Sequence, residues 1–359
     1  MPRKRKTDKK YDRGLFFLTV LLTVLGFIAI ADASSPQALE LFGDSFYFVK
    51  QQLVWGAIGI GALIFAASIN YSFWKRVAPF LFGISIVLLI AVLIPGVGNR
   101  VLGARRWIDL GVFTLQPSEF VKLTLAIFIA WLVEKEPPFY YYAVVFGLVA
   151  FLIMLQPNLG TTLIVLGIGF VQLFVAGENF FKLFSLAAAG GVISFLLTII
   201  SDYRRQRLLT FFQSSRDPLG SSYHIRQVLL ALGSGGIFGV GLGQSRQKHL
   251  FLPEAATDSV FAVMAEEIGF VGSLIIISIF VIFVMKIIKI AGRSGDRFAA
   301  VLATGIAAWI GGQMFLNIGS MVALVPLTGI PLPFFSYGGS SLTMVLLGIG
   351  ILLNISKNA

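Results

Sequence analysis

The chain has no cysteine and only two histidines among its 359 residues. Without a thiol, disulfides and thiolate metal sites are excluded. His224 and His249 alone do not make a metal centre without carboxylate help. Charge is scarce as well. Asp, Glu, Lys and Arg make up 13% of the chain, about half of the roughly 25% that a soluble domain carries. Familiar soluble-enzyme motifs are missing too. The glycine-rich run from Gly235 to Gly243 has no preceding strand and no βαβ context, so it does not read as a dinucleotide loop. No Gly-Lys followed by Ser or Thr is present to cradle phosphate, and no serine shows a partnered base for acyl transfer.

What fills the chain instead is hydrocarbon. Hydrophobic residues make up 57%, and they come in runs of the length a membrane span needs, about 20 residues. Spans are expected near 14–33, 49–68, 77–95, 118–134, 139–155, 159–177, 180–200, 260–286, 298–320 and 340–356. The fold class is therefore an all-α polytopic membrane protein of about ten transmembrane helices. A long extracytoplasmic loop, 201–259, separates helices seven and eight. The span near 159–177 opens on a Pro157–Gly160 break, which leaves a partly re-entrant course open. No internal repeat stands out.

Lys and Arg set the expected orientation. If the N-terminus is inside and ten spans alternate, the inner segments hold Lys75, Arg76, Lys135, Lys182, Lys286, Lys289, Arg293, Arg297 and the basic tail, residues 1–13. The short outer loops hold only Lys50, Arg100, Arg105 and Arg106. This asymmetry puts both termini, 1–13 and 357–359, in the cytoplasm. The apolar run after the tail is too long for a signal core and lacks a small-residue cleavage site, so the tail reads as an anchor facing anionic lipid. The net charge of +11 does not point to nucleic acid, because it sits in loops and flanks with no soluble domain to present it. The 201–259 loop is basic despite its outer position, with Arg204, Arg205, Arg207, Arg216, Arg226, Arg246 and Lys248. Long loops cross regardless of charge. It reads either as a solvated loop against headgroups or as a surface for an anionic, diphosphate-bearing substrate.

Polar groups inside the apolar runs are functional hypotheses by default. Glu119 and Lys122 are three apart on one helix face and can pair, as a structural ion pair or as working groups. Gln116 and Ser118 flank Pro117, which a first helical turn tolerates. Gln156–Thr162 and Val325–Ser341 are broken stretches, tolerated at membrane depth only when buried in protein or lining a cavity. With the expected topology they cluster at the outer face, together with Asp258. That acid follows Thr257 and precedes an apolar run, so it, or a neighbour, is open to a helix-cap reading as well as a functional one. Glu266 and Glu267 lie two turns further on.

Taken together, these residues resemble the SEDS family (shape, elongation, division and sporulation proteins of the RodA and FtsW type). The resemblance covers roughly 14–356, a single membrane domain. It rests on Gly103–Ile108, on Gln116–Phe120 with Lys122, on Gln156-Pro157 with Leu159–Thr161, and on Arg204–Leu208. It continues through Gly241–Ser245 with Lys248, Leu252–Glu254 with Thr257-Asp258, and Pro331–Ser341. The Gly-Gln-Ser-Arg-Gln-Lys run is closer to the division branch (FtsW-like) than to the elongation branch. The resemblance implies a glycosyltransferase that polymerises lipid II, the undecaprenyl-diphosphate disaccharide-pentapeptide, into peptidoglycan strands outside the cytoplasmic membrane. It also implies a class B penicillin-binding protein as transpeptidase partner, among other divisome or elongasome proteins. The family's essential acid falls on Asp258 and its polar pair on Glu119 and Lys122. Two departures stand out: Asn158 where the family usually has Asp, and Ala256 and Ser259 around the acid.

On that basis Asp258 is expected to act as general base toward the acceptor sugar's 4-hydroxyl, with inversion at the donor's anomeric carbon. Lys122 and the loop arginines are expected to stabilise the departing diphosphate. Gln116, Arg105, Arg106, Arg204, Arg246, Lys248, Glu254 and Ser340 are the expected substrate-binding or supporting residues. A divalent cation, Mg or Mn, bridging the diphosphate fits the chemistry, although no protein metal site is legible. Two alternatives use the same features differently: a flippase for the lipid-linked sugar, and a non-catalytic scaffold for the transpeptidase.

Overall fold

The computed structural model describes residues 11–101, 104–109, 111, 113–200, 205, 223–249 and 251–358. Gly103, Arg204 and most of 201–222 therefore lie outside the described residues, as does the tail before Tyr11.

Ten of the described helices coincide with the ten expected spans. They are α1 (Arg13–Phe42), α2 (Tyr47–Ser68), α3 (Ser72–Ala91), α4 (Pro117–Val133), α5 (Tyr140–Leu155), α6 (Leu159–Val175), α7 (Phe180–Ile200), α9 (Val260–Arg293), α10 (Arg297–Met321) and α11 (Gly339–Asn358). An eleventh, α8 (Tyr223–Gly235), lies in the long loop. By length and composition, α1, α2, α3, α9, α10 and α11 are long and apolar enough to cross a membrane. The run near 159–177 forms a regular helix, α6. Asn158 caps it, its side-chain oxygen accepting from the Thr161 N–H at 3.1 Å. An amide does this as well as a carboxylate, which gives Asn158 a structural task.

Between α3 and α4 the chain forms a small antiparallel sheet that the sequence reading did not include. It consists of β1 (Gly98–Val101), β2 (Ala104–Asp109) and β3 (Thr114–Leu115), in that order.

The centre of the bundle is α4, α10 and α11. Nearly every side chain of α4 is buried, including Glu119 and Lys122. Helices α1, α2, α3 and α9 instead expose Phe17, Ile28, Val54, Ile64, Phe80, Val87, Phe270 and Ile275, apolar side chains that lipid would cover. Helices α2 and α11 meet with backbones nearly in contact: a Cβ on Gly350 would lie 2.4 Å from the Leu63 carbonyl oxygen. Small residues at such crossings let helices approach closely in a membrane.

One face of the bundle gathers the two described ends. The Asp12 N–H donates to Ser356 Oγ at 3.0 Å, and Asn354 bonds both the Tyr71 N–H and the Ala67 carbonyl, each at 2.9 Å. Two ion pairs lie there as well, Lys75–Glu134 at 2.5 Å and Arg297–Glu136 at 2.6 Å. The opposite face carries the sheet, the α5–α6 break, α8, the loop to α9 and the 322–338 segment.

Candidate active site

Asp258 sits at that second face, in the last turn before α9. The cap-forming position of α9 is Ser259, and its side chain makes no capping hydrogen bond. The Asp258 backbone is clamped by elements far along the chain. Asn317 on α10 donates through Nδ2 to the Asp258 carbonyl and to the Ile330 carbonyl, both at 2.8 Å. Ser336 Oγ donates to the Thr257 carbonyl at 2.5 Å, and the Tyr337 N–H to the Ala256 carbonyl at 2.8 Å. The broken 325–341 stretch is thus a brace for the segment that carries the acid. His224 on α8 approaches from the other side, its Nε2 2.8 Å from Ser259 Oγ. On the turn before them Glu254 has φ +54° and accepts from Thr257 Oγ1 at 2.7 Å. In the sequence His224 has no metal-binding companions, and Asn317 stands out only as a polar side chain in an apolar run. An amide inside an apolar run was the signal for it.

Lys122 donates to Glu119 Oε1 at 2.6 Å, and both side chains are at most 2% exposed. The ammonium also lies over the Trp309 ring, 5.5 Å from its centroid. Glu119 Oε2 is buried with no hydrogen-bond partner among the described residues. Trp309 donates in turn to Gln313 Oε1, and Gln313 Nε2 to the Pro331 carbonyl at 3.2 Å. Trp309, Gln313 and Asn317 are spaced four apart, so they form a polar stripe on one face of α10. At 1.5 Å per residue the stripe runs roughly 12 Å from the buried pair to the Asp258 anchor.

Three of the basic residues are bonded within the chain. Arg106 donates to the Gln156 carbonyl at 3.0 Å and the Pro157 carbonyl at 2.6 Å, holding the α5–α6 break. Arg105 donates to the Leu93 carbonyl at 3.3 Å. Gln116 precedes α4, and its N–H donates to Ser340 Oγ at 3.2 Å, while the Ser340 hydroxyl donates to the Thr114 carbonyl at 3.2 Å. Lys248, expected to meet a diphosphate, is buried and donates to Asp32 at 2.6 Å and Glu267 at 2.8 Å. Burial pulls its ammonium pKa down, but the hydrogen bonds and charges of the two carboxylates outweigh this and hold it above the ordinary lysine range. Arg246 is exposed.

Backbone N–H groups after the glycine-rich run are bonded to buried carboxylates. The N–H groups of Gly243 and Ser245 donate to Glu267, and those of Arg246 and Gln247 to Glu266, at 2.9 to 3.3 Å. Successive backbone N–H groups make an anion-binding concavity, and here the chain's own carboxylates fill it. Among the described residues no three His, Asp or Glu side chains gather as a metal-holding group.

A family model described as a cell cycle protein, spanning the FtsW, RodA and SpoVE proteins, matches residues 13–359. Stage V sporulation protein E of Bacillus subtilis (strain 168) is 42% identical over 358 residues, 96% of this chain and 97% of that protein. A probable peptidoglycan glycosyltransferase FtsW of Trichlorobacter lovleyi is 39% identical, covering 97% of this chain and 93% of its own length. A solved chain described as "Structural coordination of polymerization and crosslinking by a peptidoglycan synthase complex" superposes with a TM-score of 0.80 at 30% identity, covering 96% and 97% of the two chains. The rod shape determining protein RodA of Thermus thermophilus superposes with a TM-score of 0.71 at 30% identity, each chain covered to 96%. Matched over nearly its whole length in sequence and fold, the chain belongs to the FtsW/RodA/SpoVE family.

Proposed function

We infer that this multi-pass membrane protein is a peptidoglycan glycosyltransferase that polymerises lipid II, with Asp258 as its general base. The activity rests on the family and on the relatives named as glycosyltransferases. The observation that supports the residue assignment is the brace around 256–258. Three side or main chains from α10 and the 325–341 segment are spent on orienting a short turn that carries one acid. A cap or a surface acid does not need such support.

In this reading the Asp258 carboxylate takes the proton from the acceptor's 4-hydroxyl as that oxygen attacks the donor's anomeric carbon. The C–O bond to the undecaprenyl diphosphate breaks with inversion, and the diphosphate leaves. Arg246, exposed on the same loop, is assigned to the leaving charge, while Lys248, Arg105 and Arg106 hold the scaffold. The buried Glu119–Lys122 pair forms the floor of the polar stripe and sets the electrostatics beneath the site. The face with Asp258 is the extracytoplasmic one, and both chain ends lie in the cytoplasm, because Lys75, Lys135, Lys286 and Arg297 are all on the opposite face. The domain is a single unit, 14–356. A crosslinking transpeptidase of the class B penicillin-binding type is the expected partner, supported by the synthase complex that the fold resembles. Several relatives bear the FtsW name, which supports a division-branch role.

The test is to supply purified lipid II to the detergent-solubilised protein. Glycan strands are expected. A flippase or a scaffold makes no glycosidic bond, so absence of product with or without a crosslinking partner contradicts the reading.

A further inference from the structure

Asp32 is an acid that the proposed chemistry leaves unused. It lies 20 residues along α1 from Asp12, roughly 30 Å of helix, which brings it to the face that carries Asp258. Its carboxylate accepts from Lys248 at 2.6 Å, and the same ammonium donates to Glu267 at 2.8 Å. Lys248 and Glu267 are only 5% and 3% exposed, and Asp32 is 27% exposed.

The loop and the start of α9 are one body. The Val240 and Gly241 N–H groups donate to the carbonyls of Glu266 and Glu267, both at 3.0 Å. Those of Phe270 and Val271 donate back to the carbonyls of Gly236 and Ile237, at 2.9 and 3.1 Å. Ser245 Oγ adds a 2.5 Å bond to Glu266. Within this body α9 is broken: Gly269 has φ +68° and ψ −168° and is not helical, and the loop bonds both sides of the break. The direction of the first turns is thus held by the loop that bridges the break rather than by a continuous helix. On one side the turn carrying Asp258 is braced by α10 and the 325–341 segment; toward α1 the Lys248–Asp32 pair is the ionic contact that ties the body down.

We propose that Asp32 is a positioning residue: through Lys248 and Glu267 it fixes the first turns of α9, and with them Asp258, against α1. The role rests on the reading of Asp258 as the base. It differs from a plain structural ion pair in what its loss does: the acid moves relative to the reacting atoms while substrate binding stays intact. A displacement of about 1 Å at such a group costs on the order of 10²-fold in rate.

The experiment uses the full-length protein, purified lipid II, and the variants Asp32→Asn, Asp32→Glu, Asp32→Asn with Lys248→Met, and Asp258→Asn. Asp32→Asn is expected to lower kcat about 10- to 100-fold with KM changed less than about twofold, and Asp32→Glu to regain most of the rate. In Asp32→Asn the ammonium keeps Glu267 as its partner, so the melting temperature is expected to fall little while kcat drops; the double variant removes both groups of the contact with α1, and its kcat stays low. If Asp32→Asn keeps the wild-type kcat, or if the double variant recovers the rate, the positioning role is wrong. The double variant decides the matter should Asp32→Asn alone not fold. If Asp258→Asn polymerises normally, the base assignment fails and this role with it; if Asp258→Asn is inactive and Asp32→Asn is fully active, only the positioning role fails.

Discussion

At the scale of single residues the site is a matter of which polar groups are already spent. Asn317 holds two carbonyls from different segments with one amide group. Replacing it with alanine removes a donor from each of two carbonyls, the Ile330 one buried, a cost of about 1–3 kcal/mol. Asn317→Ala is expected to lower the polymerisation rate more than ten-fold and the melting temperature by several degrees, read by product gels and thermal unfolding. The Glu119–Lys122 pair behaves differently, because breaking a fully buried pair by removing one partner costs about 3–5 kcal/mol, and removing both costs much less. Glu119→Gln or Lys122→Met alone should therefore destabilise strongly, and the double variant should regain stability. If the double variant also regains polymerisation, the pair is structural only. Asp258 was legible in the sequence as a lone acid at the mouth of an apolar run, and the pair as charges three apart. The partner of Lys248 was not, because Asp32 lies 216 positions away and no local spacing joins them. The same distance in sequence hid the tasks of Arg106 and Ser340.

At the scale of elements, the spans were readable because a 20-residue apolar run has few other fates, and each of the ten became a helix. The sheet at 98–115 was not readable: strands of four, six and two residues carry too little alternation to show a period. The break inside α9 was hidden for another reason. Gly269 stands in an apolar run where glycine is common, and only the close approach of the 236–241 loop explains it. A Cβ at Gly269 would lie 2.3 Å from the Gly239 nitrogen and 2.6 Å from the Ile237 carbonyl oxygen. Its backbone conformation is one that glycine almost alone adopts, worth about 1–3 kcal/mol in strain for any other residue. Gly269→Ala should destabilise by at least about 2 kcal/mol and abolish polymerisation, whereas Gly61→Ala, with open space around its Cβ, should do neither. Thermal unfolding and product gels separate the two.

At the scale of the whole molecule, charged clusters at the two faces tie distant helices together, and they respond to pH in opposite senses. At the face with the chain ends, burial alone would raise the Asp12 pKa, but the Leu15 N–H and Lys286 outweigh it and hold the carboxyl below its usual range. A carboxylate lowered on folding contributes stability above its unfolded pKa of about 3.9, and loses it as pH falls through the folded value. Lys248 is raised on folding, so its contribution is present below about 10.4 and lost as pH rises further. Melting temperature should thus fall at both extremes, with Asp12→Asn flattening the acid limb and Lys248→Met the alkaline limb. The segregation of polar motifs to one face was visible in the order of motifs and loop charges alone. The close packing that turns this face into a braced turn around Asp258 required the fold.

The central claim is that Asp258 takes the proton as the glycosidic bond forms. The most direct measurement is the rate of strand formation from lipid II by Asp258→Asn, folded as judged by a wild-type melting temperature. A loss of about 10²–10⁴-fold, with KM little changed, is predicted. Strand formation by that variant at the wild-type rate would contradict it.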